Sequence, residues 1–196
     1  MRRRQLFALP LIPALLAACK QAVPPEFKAT DLTGASFGRD FALEDPAGRR
    51  RTLADFRGKA VILFFGYASC PDVCPTTLAR LAEVMKLLGR QAGRVQVLFV
   101  TVDPERDSAE RLRDFVPWFH PDFLALRGTP EETRQLIAEF RATAIRRQVD
   151  GAMDYVIDHS TGSYVFDTAG QLRLYIKDEQ SSAEIAADLR LLLGAS

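Results

Sequence analysis

The 196-residue chain lacks an excess of either charge, has few cysteines and has no hydrophobic run long enough to cross a membrane as a helix. Its 26 Lys and Arg residues against 25 Asp and Glu residues leave a formal charge of +1. This argues against a general nucleic-acid binder, which needs cationic side chains to neutralise phosphates. Three cysteines are too few for a scaffold held together by disulfides. With 47% hydrophobic and 26% charged residues, the composition is typical of one globular domain with a sizeable core.

The N-terminus has the pattern of an export signal. Three arginines at 2–4 precede an apolar stretch over 6–18, which is shorter than the roughly 20 residues that a membrane-spanning helix needs. Leu16-Ala17-Ala18-Cys19 resembles the bacterial lipobox, in which cleavage occurs before a cysteine that then carries a lipid. The sequence therefore predicts a lipoprotein signal peptide over 1–18 and lipidation of Cys19. An ordinary signal peptide with a cysteine near its cleavage site is the alternative.

The segment over 19–37 has no sustained apolar period and contains Pro24-Pro25 and Gly34-Ala35-Ser36, which is typical of a tether. We expect it to hold the domain over 38–196 to a membrane through its lipid. The expected location is the exported side of a bacterial cell envelope.

The pattern from residue 38 onward predicts a single α/β domain. A short hairpin turns at residues 45–48, and two continuous apolar runs have the length of buried strands. A helix with apolar residues at a spacing of three and four separates these runs, as in a β-α-β crossover. The later segments, in order, are a helix from 107 or 108, a strand at 123–126, a helix from 129, a hairpin over 163–176 and a helix over 182–193. This order predicts a thioredoxin-like three-layer sandwich with an N-terminal hairpin and an inserted strand-helix segment.

The strongest chemical signal is Cys70-Pro71-Asp72-Val73-Cys74-Pro75. Residues four apart at the start of a helix are neighbours, so both sulfurs can lie on one face. The positive end of the helix dipole favours thiolates, which are both nucleophiles and metal ligands. Cys70 and Cys74 can therefore form a metal chelate or a disulfide.

His159 is the natural third member of this site, because the chain has only two histidines and His120 is better explained by its local loop. Two thiolates and a neutral imidazole form a soft ligand set that suits Cu(I), and it can hold Cu(II) with a further oxygen ligand. Asp158 is a candidate to orient the imidazole, with a turn acceptor as the alternative. Asp103 and Arg106, after the second buried strand, are candidates to shape the site or a docking surface, and Asp107 is a candidate helix cap.

Four segments of the chain together resemble the Sco/SenC family of copper chaperones. They are Phe64-Phe65-Gly66-Tyr67, the cysteine motif over 70–75, Thr101-Val102-Asp103-Pro104-Glu105-Arg106-Asp107, and Asp158-His159-Ser160. The resemblance extends over about 38–194. It implies a thioredoxin-like fold that binds one copper ion through Cys70, Cys74 and His159. It also implies delivery of copper to the CuA centre of cytochrome c oxidase subunit II, with other copper carriers or thiol reductants as further partners.

A thiol-disulfide oxidoreductase is the main alternative, in which Cys70 and Cys74 attack and resolve a disulfide in the acceptor. This alternative alone would make the protein an enzyme. The motif has three residues between its cysteines rather than two, and no Trp precedes Cys70. A thiol peroxidase, a third alternative, would need a nucleophile context that the chain lacks.

Overall fold

The computed structural model describes residues 26–150 and 154–194. The predicted signal peptide and Cys19 lie outside the described residues. Among the residues described, no helix combines the length and the apolar character that crossing a membrane requires.

The domain contains ten strands and four α-helices within the described residues. The strands are β1 (Thr30–Asp31), β2 (Ala42–Glu44), β3 (Arg50–Thr52), β4 (Ala60–Gly66), β5 (Val95–Thr101), β6 (Leu124–Leu126), β7 (Ala144–Gln148), β8 (Tyr155–His159), β9 (Ser163–Phe166) and β10 (Leu172–Ile176). The helices are α1 (Val73–Leu88), α2 (Ala109–Phe115), α3 (Pro130–Glu139) and α4 (Ser182–Gly194). Short 3-10 helices over Leu53–Phe56 and Gly89–Arg94 precede β4 and β5.

A six-stranded mixed sheet forms the centre, in the order β1-β10-β9-β4-β5-β6. Strand β4 pairs in parallel with β5 and antiparallel with β9. All seven residues of β4 are buried, as expected for a strand covered on both faces. The β2–β3 and β7–β8 pairs are separate two-stranded sheets.

Helices cover both faces of the central sheet. Neighbouring β4 residues point to opposite sides: Phe64 packs against Phe99, whose ring also meets Phe115 of α2, whereas Phe65 packs against Phe140 at the end of α3. Helices α1 and α4 pack against each other. The predicted three-layer arrangement is therefore present.

The predicted N-terminal hairpin, the two buried strands, the inserted strand-helix segment and the C-terminal hairpin and helix are all found. Helix α2 is shorter than expected and ends at Phe115 rather than near residue 119. Pro117 accounts for this, because proline disfavours the helical conformation of the residue before it and has no N–H to donate.

Two regions differ from the expectation. Residues 29–32 were expected within the tether, but β1 pairs with β10, Ala29 is buried, and Lys28 and Ala29 donate backbone hydrogen bonds to Asp188 of α4 at 2.9 and 2.7 Å. The β7–β8 hairpin was not predicted. Strand β7 is exposed along almost its whole length, so it has none of the apolar alternation that marks a half-buried strand.

Candidate metal centre

The turn between β4 and α1 positions the two cysteines. Cys70 lies in the loop, where its N–H donates to the carbonyl of Tyr67 at 3.1 Å, and Cys74 lies in the first turn of α1. Cys74 is fully buried, whereas Cys70 is half-buried. Both are free thiols, and the Cys74 N–H points at Cys70 Sγ at 3.5 Å. The sequence prediction that both sulfurs meet at a helix N-terminus is thus matched by the geometry.

Gly66, the last residue of β4, makes room for the buried sulfur. A Cβ atom at this position would lie 2.9 Å from Cys74 Sγ and 2.7 Å from the Phe99 ring. Neither neighbour has space to retreat, since both side chains are fully buried. Glycine at 66 therefore allows Cys74 to pack directly on the end of the strand.

His159, the last residue of β8, completes the cluster. Its Nε2 lies 3.3 Å from Cys74 Sγ, and its Nδ1 lies 2.9 Å from the carbonyl oxygen of Ser160. A carbonyl can only accept a hydrogen bond, so Nδ1 carries the proton and Nε2 presents its lone pair to the sulfurs. The donor atoms of Cys70, Cys74 and His159 all lie within 4.8 Å of one another.

Two aromatic side chains from the end of β4 hold the imidazole in place. Phe64 and Tyr67 meet the His159 ring edge-on, with centroid distances of 6.0 and 5.7 Å. The Tyr67 hydroxyl accepts a hydrogen bond from the Ile157 N–H at 3.3 Å. Tyr67 therefore contacts both the ligand ring and the strand that carries it, a role that sequence reasoning missed.

The two thiols have very different acidities. The hydrogen bond from the Cys74 thiol, aided by the backbone N–H groups of Asp72 and Cys74, lowers the pKa of Cys70 to about 3. The pKa of Cys74 is raised, because its thiol donates to Cys70 and lies buried. Cys70 is therefore the first thiolate to form and the one closer to solvent.

A cavity of about 340 Å³ adjoins Cys70 and His159, while the buried Cys74 does not line it. Its lining comes from the cysteine loop and from β8, and comprises Tyr67, Cys70, Pro71, Asp72, Val73, Val156, Ile157, Asp158, His159 and Thr161. The approach to Cys70 and His159 is thus mainly apolar.

Asp103 lies beside the site rather than in it. Its buried carboxylate pairs with the Arg106 guanidinium and accepts a hydrogen bond from the Tyr155 hydroxyl at 2.8 Å. Arg106 stacks on the Tyr155 ring and donates to the Tyr155 carbonyl at 3.0 Å. Asp103 therefore holds Tyr155, the first residue of β8, which lies four residues before His159.

Asp158 does not contact the imidazole through a hydrogen bond. Its side chain is exposed and pairs with Arg147 on the neighbouring strand, with Arg147 Nη2 and Asp158 Oδ1 3.0 Å apart. Neighbouring residues of a strand point to opposite sides, so Asp158 points away from the cysteines. The Ser160 carbonyl takes the place at Nδ1 that was expected for this carboxylate.

Asp107, a candidate helix cap in the sequence, is not the cap of α2. Ser108 caps α2 instead, and the buried Asp107 carboxylate accepts hydrogen bonds from Thr101 and from the N–H of Ala68 at 2.6 and 3.0 Å. Burial raises the pKa of Asp107. The carboxylate fixes the loop that leads to Cys70.

His120, as expected, serves its own loop, where its ring stacks on Phe123.

Comparison with known proteins decides the family. The SCO1/SenC family model matches residues 29–194. The chain belongs to this family. The Sco/SenC resemblance predicted from the four sequence segments is confirmed.

Relatives and solved Sco structures agree with the assignment. The human mitochondrial SCO2 homolog is 35% identical over 183 residues, which cover 92% of this chain and 69% of that protein. The copper-bound structure of Bradyrhizobium japonicum ScoI is 34% identical, with a TM-score of 0.73 over 80% of this chain and 99% of that one. Copper-bound yeast Sco1 is 31% identical, with a TM-score of 0.74 over 82% and 90% of the two chains. The predicted thioredoxin-like fold is confirmed by this likeness.

Proposed function

We propose that this protein is a copper metallochaperone that binds one copper ion through Cys70, Cys74 and His159. The observation that carries the proposal is the convergence of the three donor atoms within 4.8 Å of one another. Two sulfurs and one imidazole nitrogen form a soft set that suits Cu(I), and Cu(II) can be held when an oxygen ligand is added from solvent. Copper bound to ScoI and Sco1, which share the fold and about a third of the sequence, supports the same cargo here.

The acceptor that we propose is the CuA site of cytochrome c oxidase subunit II. Sco proteins form a family of cytochrome c oxidase assembly proteins, which supports an acceptor within the oxidase. In this chain Cys70 is the more exposed sulfur and lies at the cavity, whereas Cys74 is fully buried. Ligands of the acceptor would therefore reach the copper from the side of Cys70 and His159 and displace these two donors before Cys74.

Anaerobic titration of the reduced protein with Cu(I) tests the proposal. We expect one copper per chain, and weaker binding after His159→Ala because one of three donors is lost. His120→Ala is the matched control, since this histidine lies in another loop. Unchanged binding in His159→Ala would remove the histidine from the ligand set.

A second candidate function is reduction of the acceptor's ligand cysteines. The lowered pKa of Cys70 and the protonated Cys74 beside it favour this function. The Cys70 thiolate would attack a sulfur of the acceptor disulfide and release one acceptor thiolate. Cys74 would then attack Cys70, which gives a Cys70–Cys74 disulfide and a dithiol acceptor, so two electrons pass to the acceptor.

The histidine separates the two functions. A reductase relies on the two sulfurs and should keep most of its rate after His159→Ala, whereas copper transfer should fall sharply. The rate of acceptor-disulfide reduction and the rate of copper transfer, both measured with this variant, distinguish them.

We also propose that the protein is exported and lipid-anchored at Cys19 on the outer side of a bacterial membrane. The lipobox-like sequence before Cys19 supports this placement. Mass spectrometry of the membrane-extracted protein should find an acylated N-terminal Cys19. Soluble protein that retains residues 1–18 would contradict it.

A further inference from the structure

The end of the domain opposite the cysteines exposes large apolar side chains. Among the described residues four large hydrophobic side chains are exposed, and three are Trp118 at 85%, Leu87 at 43% and Leu191 at 43%. Phe115 and Phe119, on either side of Trp118, pack against each other, and Phe115 also meets Phe99 of the core. Trp118 alone in this aromatic segment is left in solvent.

Chain direction places these three residues at the same end of the sheet. Leu87 and Leu191 lie in the last turns of α1 and α4, and Arg190 of α4 donates to the carbonyl of Leu87. Trp118 follows α2 in the loop that leads to the start of β6, and the Gln96 side chain ties this loop to the start of β5 through the Asp122 carbonyl at 2.6 Å. The cysteines follow the other end of β4, a seven-residue strand that is about 20 Å long.

Unpaired cations surround the exposed apolar groups. Lys86, Arg90, Arg94 and Arg190 are exposed, and none of them forms an ion pair with any described residue. By contrast, the arginines around the metal centre, Arg106, Arg111, Arg146 and Arg147, all pair with carboxylates. Asp114 and Asp122 flank Trp118 in the chain, so Lys86, Arg90, Arg94 and Arg190 outnumber the two carboxylates of that segment.

The N-terminal chain is too short to let the domain move far from a membrane. Residues 28 and 29 are bound to Asp188, midway along α4. Lys28 lies nine positions after Cys19, and an extended chain spans at most about 3.5 Å per residue. The proposed anchor at Cys19 therefore keeps the point where Lys28 meets α4 within roughly 32 Å of the bilayer. From Asp188 the exposed end of α4 is about 9 Å further along the helix.

We propose that this end of the domain rests on the surface of an anionic phospholipid bilayer. The contact surface, which we call the basal surface, consists of Lys86, Leu87, Arg90, Arg94, Trp118, Arg190 and Leu191. Tryptophan and leucine side chains partition into the interfacial region of a bilayer, and cationic side chains are attracted to anionic lipid headgroups. The inference goes beyond copper transfer and does not depend on it. A domain resting on this surface holds the cysteines and His159 at its far end, away from the membrane.

Trp118 reports on the basal surface directly, because it is the chain's only tryptophan. The full chain is reconstituted on two kinds of vesicle, one of pure phosphatidylcholine and one in which about one lipid in three is phosphatidylglycerol. On the anionic vesicles we expect Trp118 emission to shift to shorter wavelength and to be quenched by phospholipids brominated in the acyl chain. On the neutral vesicles both effects should be several-fold smaller.

The variant R90Q/R94Q/R190Q should lose the quenching on anionic vesicles. Each cation near such a surface contributes roughly a fivefold factor, so three removals shift the ratio of docked to undocked protein by about a hundredfold. The matched control is R39Q/R49Q/R134Q, which removes the same charge from side chains that are 78%, 65% and 68% exposed elsewhere on the domain. Circular dichroism establishes that both variants are folded.

Three results would overturn the proposal. One is equal access of aqueous acrylamide to Trp118 on the two kinds of vesicle, and another is undiminished quenching in R90Q/R94Q/R190Q. The third is protection of Trp118 in native membranes but not on vesicles of pure lipid, which would assign the basal surface to a protein partner.

Discussion

The three donor residues of the proposed copper site come from two regions of very different construction. Cys74 belongs to the centre of the domain: it is fully buried and touches the end of a strand whose seven residues are all buried. His159 belongs to the β7–β8 pair, a separate two-stranded sheet with β7 largely exposed. A two-stranded hairpin is marginal on its own, so β8 depends on contacts made by Tyr155, Arg106 and Tyr67.

The difference indicates which donor can move. The position of Cys74 is set by core packing, which changes only at a large cost in free energy. The position of His159 is set by a few polar contacts, each contributing about 1 kcal/mol, and by the edge-on contacts of its ring with Phe64 and Tyr67. We therefore expect His159 to be the donor that leaves bound copper first, with the buried Cys74 sulfur as the last donor to be displaced.

The pH dependence of cysteine alkylation should show the largest effect. It tests whether Cys74, in the central region, or His159, in the hairpin, is the main cause of the lowered pKa of Cys70. An ordinary thiol reacts about tenfold faster per pH unit between about pH 5 and 8. Cys70, with a pKa lowered to about 3, should react at a nearly constant rate over this range, and buried Cys74 should not react. His159→Ala should leave the profile almost flat, because the bond from Cys74 is the largest cause of the lowered pKa.

The same pKa has a consequence for stability. Folding lowers the pKa of Cys70, so its ionisation stabilises the folded state above the ordinary thiol pKa, and this contribution is lost as the pH falls towards about 3. In the alkylation experiment, a Cys70 reaction rate that rises tenfold per pH unit between about pH 5 and 8 would contradict the lowered pKa.

Gly66→Ala should disturb the central region. The added methyl group meets Cys74 Sγ and Phe99 at less than 3 Å, and overpacking of this kind destabilises a domain by about 1–3 kcal/mol. Urea unfolding should measure this loss, and copper titration should show weaker binding. Gly93→Ala is the control, because a Cβ there meets nothing within 4 Å. Equal unfolding midpoints for the two variants would show that the strand end is not tightly packed.

Tyr155→Phe should loosen the hairpin with a smaller effect. It removes one donor from the buried Asp103 carboxylate, with an expected loss of about 1 kcal/mol. Hydrogen exchange should become faster in β8 while β4 is unaffected, and copper affinity should fall less than in His159→Ala. Tyr175→Phe removes a hydroxyl from β10 in the central sheet and should leave exchange in β8 unchanged. Faster exchange throughout the domain would show that the two regions are not separate.

Asp158→Asn should have the smallest effect. Its carboxylate is exposed and pairs with Arg147, and exposed ion pairs contribute little. Copper affinity should stay within the error of the titration. A clear fall would mean that Asp158 acts on His159, as the sequence first suggested.

The central region was the easier one to predict from sequence. Long apolar runs such as 59–65 and 95–102 have the signature of buried strands, and the cysteine motif between them fixes its own place at the start of a helix. The small number of histidines also pointed to His159 as the third donor, and the structure brings its donor atom within 4.8 Å of those of the cysteines. The signals agree because packing, local propensity and chemistry coincide in this part of the chain.

The second region was harder because tertiary contacts determine it. Strand β7, with the sequence Ala-Ile-Arg-Arg-Gln, has no apolar period, and the contact of Tyr67 with β8 joins residues 90 positions apart. The role of Asp107 also depends on a distant partner, the N–H of Ala68. Only the close approach at Gly66 had a visible signal, since a glycine that ends a buried strand often marks a tight contact.

Strand β1 has a consequence for self-association of the protein. It covers the edge of β10, and the residues just before it supply two backbone donors to the buried Asp188 carboxylate. A chain shortened to begin at residue 38 would leave β10 as an open edge and Asp188 without these donors. Open edges pair readily with one another, so light scattering should find that such a chain self-associates where the longer chain does not. We therefore expect the two residues of β1 to reduce aggregation by covering the edge of β10.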